Sequence, residues 1–170
     1  MTNVHLVVMG VAGCGKSTVA EELARRLGWE LAEGDDFHPE ANIAKMSSGT
    51  PLTDEDRWPW LDLIAEWTAE QDGAGKNTVV TCSALRRIYR DRLRNAPGRT
   101  LFVHLVGSPE LLEHRLSSRS GHFMPPTLLP SQLATLEPLE ADEEGVILDV
   151  YHSIDNIAQL AINQLHLSQA

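Results

Sequence analysis

Residues 4–17 read VHLVVMGVAGCGKS, and the order of residue types in that stretch decides the fold. Val4, Leu6, Val7 and Val8 spell a buried strand. Gly10, Gly13 and Gly15 follow, then Lys16 and Ser17, completing the spacing G-x-x-x-x-G-K-[ST]. Thr18 to Leu27 continue as an amphipathic helix. Strand, glycine-rich turn and helix in this order make a phosphate cradle. Glycine lets backbone N–H groups curl around phosphate oxygens, and the helix N-terminus adds partial positive charge. Lys16 is placed for the β- and γ-phosphates of a nucleoside triphosphate and the Ser17 hydroxyl for Mg²⁺. Gly10, Gly13, Gly15, Lys16, Ser17 and Thr18 are the expected nucleotide-binding set.

Working outward, strand and helix patterns alternate along all 170 residues. This predicts an α/β fold in three layers: a five-stranded parallel sheet with helices on both faces, forming a single domain over 1–170. Strands are expected at 4–9, 29–32, 78–82, 100–106 and 146–150. Helices are expected at 17–27, 35–46, 54–70, 85–94, 109–118, 131–137 and 154–166. The 54–70 helix should be capped by Thr53 or Asp56, and the last helix by Ser153 or Asp155. Gly121, Pro125, Pro126 and Pro130 mark an irregular flap, a lid at about 119–130.

The formal net charge of −10 argues against a nucleic-acid or anionic-membrane partner. No apolar run is long enough to span a bilayer, and residues 1–9 lack the pattern of an export signal, so the expected location is the cytoplasm. The two cysteines, Cys14 and Cys82, suggest no disulfide framework.

Three further places bear on the reaction. Glu33-Gly34-Asp35 ends the second strand, and ligands bind beyond the carboxyl ends of such strands. There Asp35 can orient an acceptor hydroxyl toward a γ-phosphate, and Glu33 can hold a metal-bound water. Arg115 and Arg119 lie four apart at the flap edge, where a closing lid brings an arginine to the transferring phosphoryl group and another can stack on a purine. Arg86 and Arg90 share one face of a basic helix and can serve an anionic acceptor. The acidic run 137–144 reads as a solvated loop. Neither a guanine-reading N-K-x-D motif nor an aspartate at the end of the third strand is present, which turns the reading away from GTPases and motor ATPases. A kinase is the leading class; a non-catalytic nucleotide sensor is the rival.

The blocks GVAGCGKS (10–17), GDDFHPEANIAKMSSGTPLTDEDRWPWL (34–61), CSALRRIYRDRLR (82–94), RSGHF (119–123) and SQLATLE (131–137) together resemble the gluconokinase family. These are P-loop kinases related to shikimate and nucleoside monophosphate kinases. The resemblance runs from about residue 4 to about residue 150. It implies ATP- and Mg²⁺-dependent phosphorylation of D-gluconate at its 6-hydroxyl, in sugar-acid catabolism feeding the pentose phosphate pathway, by a cytoplasmic homodimer. Carried over residue by residue, it implies Lys16, Asp35 and Arg119 as catalytic. Ser17 and Glu33 would serve the metal, and Arg115 the nucleotide. His38, Lys45, Arg57, Arg86, Arg90 and His122 would join Asp35 on the sugar-acid side. The family pattern commonly has Asp-Gly-Asp where this chain has Glu33-Gly34-Asp35, and Lys where it has Arg86.

Overall fold

The computed structural model describes residues 2–117 and 128–168. Runs rich in valine, leucine and threonine form β1 (Val4–Met9), β3 (Thr78–Thr81), β4 (Arg99–Val106) and β5 (Gly145–Asp149), and the short Glu-Leu-Ala-Glu run forms β2 (Glu30–Glu33). They make one sheet in the order β2-β3-β1-β4-β5, and every pairing is parallel. Central β1 is buried on both faces, which explains its unbroken apolar run. Seven helices are seen among the described residues: α1 (Lys16–Leu27), α2 (Glu40–Ser47), α3 (Asp54–Gly73), α4 (Arg87–Arg94), α5 (Pro109–Ser117), α6 (Leu129–Thr135) and α7 (Ile154–Gln164). Helices α1 and α7 pack together, and α3 packs on α4. Helix α1 buries Val19, Ala20, Leu23, Ala24 and Leu27, and ends where Gly28 turns left-handed and donates to the Ala24 carbonyl.

Local chemistry moves several boundaries. The helix expected over 35–46 is broken in two: a 3₁₀ turn at Gly34–Phe37, then α2. Pro39 pushes His38 into extended backbone (φ −66°, ψ 132°), so a continuous helix cannot pass. Thr53 caps α3 in a reciprocal box with Asp56. Pro59 then falls six residues into that helix rather than at its first turn. It lies on the exposed side, as does Glu55, whose carbonyl it leaves without a helical donor. Helix α6 begins two residues early, at Leu129, with Pro130 in its first turn. Ser153, not Asp155, caps α7.

One core residue is costly. His104 on β4 is 1% exposed, and neither ring nitrogen has a hydrogen-bond partner. Burial, with Arg90 nearby, holds its pKa down at about 4, against a weaker upward pull from Glu143. His38 is likewise held at about 4 by burial and by Arg57. Both exclude a proton that the unfolded chain takes up below about pH 6.5. Their contribution is therefore complete above pH 6.5 and is lost as pH falls toward 4. Each should remove about 2 kcal/mol of stability between pH 7 and pH 5. His104→Leu should halve this pH dependence and leave stability at pH 7 equal or higher, because it removes two unpaired buried nitrogens. Urea unfolding at the two pH values measures both effects.

Candidate active site

At the carboxyl ends of β1, β2 and β3 lies a cavity of about 490 Å³. One wall is the loop 10–17. Gly13 and Gly15 have φ of +86° and +87°, which lets the chain coil tightly ahead of α1. Lys16 Nζ donates to the carbonyls of Gly10 (3.1 Å) and Val11 (3.2 Å), folding its ammonium over the loop. Gly10 lies behind, against the Leu105 carbonyl, where a Cβ would come within 2.7 Å. Cys14 is buried inside the turn as a small filler. The N–H of Ala12 is held from outside the loop by Gln132 Oε1 on α6, at 2.7 Å.

The opposite wall is built around Gly34. Its N–H donates to Thr81 Oγ1 (3.0 Å) and its carbonyl accepts from Trp60 Nε1 (2.7 Å). A Cβ there would lie 1.9 Å from the Thr81 carbonyl oxygen, so only glycine fits. This pinned residue aims its two neighbours. Glu33 Oε2 accepts from Ser17 Oγ (3.0 Å) and Thr81 Oγ1 (2.7 Å), which places a carboxylate beside the loop hydroxyl. Asp35, half-exposed, faces the cavity with His38 Nε2 at 3.7 Å from its Oδ1. The His38 ring stacks on Trp60 at 4.1 Å between centroids. The Asn42 amide nitrogen gives one N–H to the Asp56 carbonyl (2.9 Å), leaving the other for His38 Nδ1 (3.3 Å). That arrangement assigns the proton of the neutral ring to Nε2, the atom turned toward Asp35. Burial pushes the nearby Cys82 thiol up to about 12, so it supplies no nucleophile.

The cavity collects Lys16, Ser17, Thr18 and the loop glycines 13 and 15 with Glu33, Asp35, His38, Arg57 and Arg115. Three expected acceptor residues stand elsewhere. Lys45 is bound to Asp56 at 2.5 Å. Arg86 is held between Asp54 (2.8 Å) and Glu137 (3.2 Å). Arg90 is fully buried in a two-pronged pair with Glu143 (2.8 and 2.9 Å) and also donates to the carbonyls of Ala84 and Glu137. Arg90 is thus a core strap rather than a ligand for a sugar acid. Its partner corrects the reading of 137–144 as solvated, because Glu143 is buried. Burial pushes that carboxyl up, but hydrogen bonds from Arg90, the Glu140 N–H and Arg94 outweigh it and bring the pKa to about 2. Arg119 and His122 lie outside the described residues, as do positions 119–127 of the lid expected at about 119–130; Leu129 and Pro130 open α6 instead.

Charge is distributed unevenly. Among the described residues, Lys16, Arg57 and Arg115 are the lysines and arginines without a carboxylate partner, and all three line this cavity. An acidic chain that neutralises its other described cations and leaves three facing one cleft has built a site for anions. Tyr89, Thr81 and Gln132 were missed from sequence. Tyr89 and Gln132 are buried polar residues, and only their long-range partners reveal their roles.

A parallel sheet with this loop at the end of β1 defines a nucleotide-phosphate-binding protein of the P-loop kinase type. The family described as "AAA domain" matches residues 6–139. A gluconokinase of Gluconobacter oxydans is 58% identical over 142 residues, covering 84% of this chain and 79% of that protein. The thermosensitive gluconokinase of Escherichia coli is 38% identical, covering 94% and 86%. Among solved structures, an unliganded sugar kinase from Janibacter superposes with a TM-score of 0.93 at 51% identity, covering 98% of this chain and 96% of that one. A gluconokinase from Sinorhizobium meliloti gives 0.84 at 46% identity, covering 97% and 93%. The chain belongs to the gluconokinase family.

Proposed function

We infer that this chain transfers the γ-phosphoryl group of ATP to the 6-hydroxyl of D-gluconate, giving 6-phospho-D-gluconate and ADP. The observation that carries the reading is the convergence of a phosphate loop, an acceptor-side carboxylate and three unpaired cations on one cavity. Loop N–H groups and Lys16 bind the triphosphate, with the Lys16 ammonium leaving the Gly10 and Val11 carbonyls for phosphate oxygens. The Ser17 hydroxyl and the Glu33 carboxylate are hard oxygen donors side by side, and they suit a Mg²⁺ that keeps most of its waters. Such an ion, when bound, neutralises charge on the β- and γ-phosphates. Asp35 orients the acceptor hydroxyl and takes up its proton, with the neutral His38 ring beside it, Nε2 at 3.7 Å from Oδ1. Arg115, beside Gly15, adds charge at the nucleotide. Arg119 from the lid completes the phosphoryl clamp.

In this reading residues 1–170 act as one catalytic unit, in the cytoplasm, and pair as a homodimer that size-exclusion chromatography with light scattering would detect. The helices of the described residues include none long and apolar enough to cross a membrane.

The test is ADP release from MgATP with D-gluconate, other aldonates, shikimate and nucleoside monophosphates side by side. Strong turnover on gluconate alone is expected. Activity on another acceptor with silence on gluconate would replace the substrate and keep the kinase. Silence on every acceptor would favour the nucleotide sensor.

A further inference from the structure

The cavity has two ends, and its cations divide between them. Lys16 and Arg115 stand at the phosphate loop. Arg115 Nη2 is tethered to the Val150 carbonyl at 3.1 Å, and its Nη1 lies beside Gly15. Arg57 stands apart, in the first turns of α3, near enough to His38 to depress its pKa. An acceptor that offers its terminal hydroxyl to Asp35 has its carboxylate at the far end of the carbon chain. The other acceptor-side cations, Lys45 and Arg86, are already neutralised.

The reason Arg57 escapes pairing is visible in its surroundings. Asp54, three residues earlier on the same helix, would be its natural partner. One Asp54 oxygen accepts the Tyr89 hydroxyl proton, and the other accepts from Arg86 Nη1 at 2.8 Å. With its single proton committed to Asp54, the Tyr89 oxygen can only accept from Arg57, and it does so from Nη1 at 2.7 Å. Tyr89 is 1% exposed and wedged under both guanidinium groups, whose carbons lie 4.9 Å (Arg57) and 5.9 Å (Arg86) from its ring centre. It thus fixes Arg57 through an uncharged hydroxyl, and no described carboxylate forms an ion pair with the guanidinium.

We propose that Arg57 grips the carboxylate of the acceptor and that Tyr89 is the positioning residue that aims it, together setting the preference for an acid over a neutral polyol. This assignment rests on the gluconate reading above. The experiment compares D-gluconate with D-gluconamide, which keeps the hydroxyls and lacks the charge, as substrate or as competitive inhibitor. Wild type should strongly prefer gluconate. Arg57→Gln should lower kcat/KM for gluconate by about 10- to 100-fold, with little effect on gluconamide, so that the preference collapses. Tyr89→Phe, which keeps the ring, should raise KM for gluconate about tenfold and leave KM for ATP unchanged. If both ligands weaken together in Arg57→Gln, or the preference survives in both variants, the assignment is overturned while the gluconate reading stands. A wild type silent on gluconate overturns the reading and this assignment with it.

Discussion

Asp35→Asn should lower kcat by about 10²–10⁴-fold while the affinity for ATP hardly moves. The asymmetry follows from placement. Asp35 contacts neither the phosphate loop nor Lys16 by a hydrogen bond or ion pair. It stands across the cavity, aimed by the Gly34 pin and with the His38 ring 3.7 Å away. The asparagine amide fills the same space and can still contact a hydroxyl, but it cannot accept the proton that leaves when the O–P bond forms. Steady-state kinetics with gluconate, joined to calorimetric titration of nucleotide, separate the two quantities. Full activity in the variant would remove Asp35 from the chemistry and leave the loop's role untouched.

Arg90→Met should cost about 3–5 kcal/mol of stability, the usual range when one partner of a buried pair is deleted. Glu143 would remain buried, with only the partly exposed Arg94 (2.8 Å) and the Glu140 N–H for company. Adding Glu143→Leu should recover most of that loss, because two apolar side chains replace two buried charges. Activity should recover less. Arg90 Nη1 also holds the Ala84 carbonyl, and Ala84 sits at φ +45°, a conformation strained for alanine. Ser83 and Leu85, on either side, line the cavity. The double variant therefore keeps a loosened wall in a stable protein. Urea denaturation and kcat/KM measured on the same samples would show the split.

The parts of this fold that can be read from the sequence are those written by local rules. The β1–loop–α1 unit follows from an apolar run, glycine spacing and a 3.6-residue stripe, all within about thirty residues. The Thr53–Asp56 cap and the break before Pro39 are equally local in origin. What escaped depends on partners far along the chain. Helix periodicity correctly puts Arg86 and Arg90 near one face, but it does not say what that face meets. Tyr89 and Leu93 flank Arg90 on the buried side of α4, and that apolar company is the one signal that could have marked it as a core residue. Glu143 looks solvated because five acidic residues lie between 137 and 144, and composition carries no information about which of them turns inward. The site divides in the same way. The loop and Glu33-Gly34-Asp35 were legible, whereas the Tyr89–Asp54 lock and the Gln132 tether join segments more than thirty residues apart.

The concentration of unpaired cations in one cleft of a molecule with net charge −10 has a kinetic consequence. Both substrates are anions, so at a distance they meet a repulsive field, and they feel attraction only within the mouth. Dissolved salt screens the first effect over a Debye length of about 8 Å at physiological strength and hardly touches the second. Encounter should therefore quicken as ionic strength rises from very low values, the reverse of an enzyme that steers its ligands in. At physiological ionic strength that long-range penalty is already largely erased, and what remains is the attraction inside the mouth.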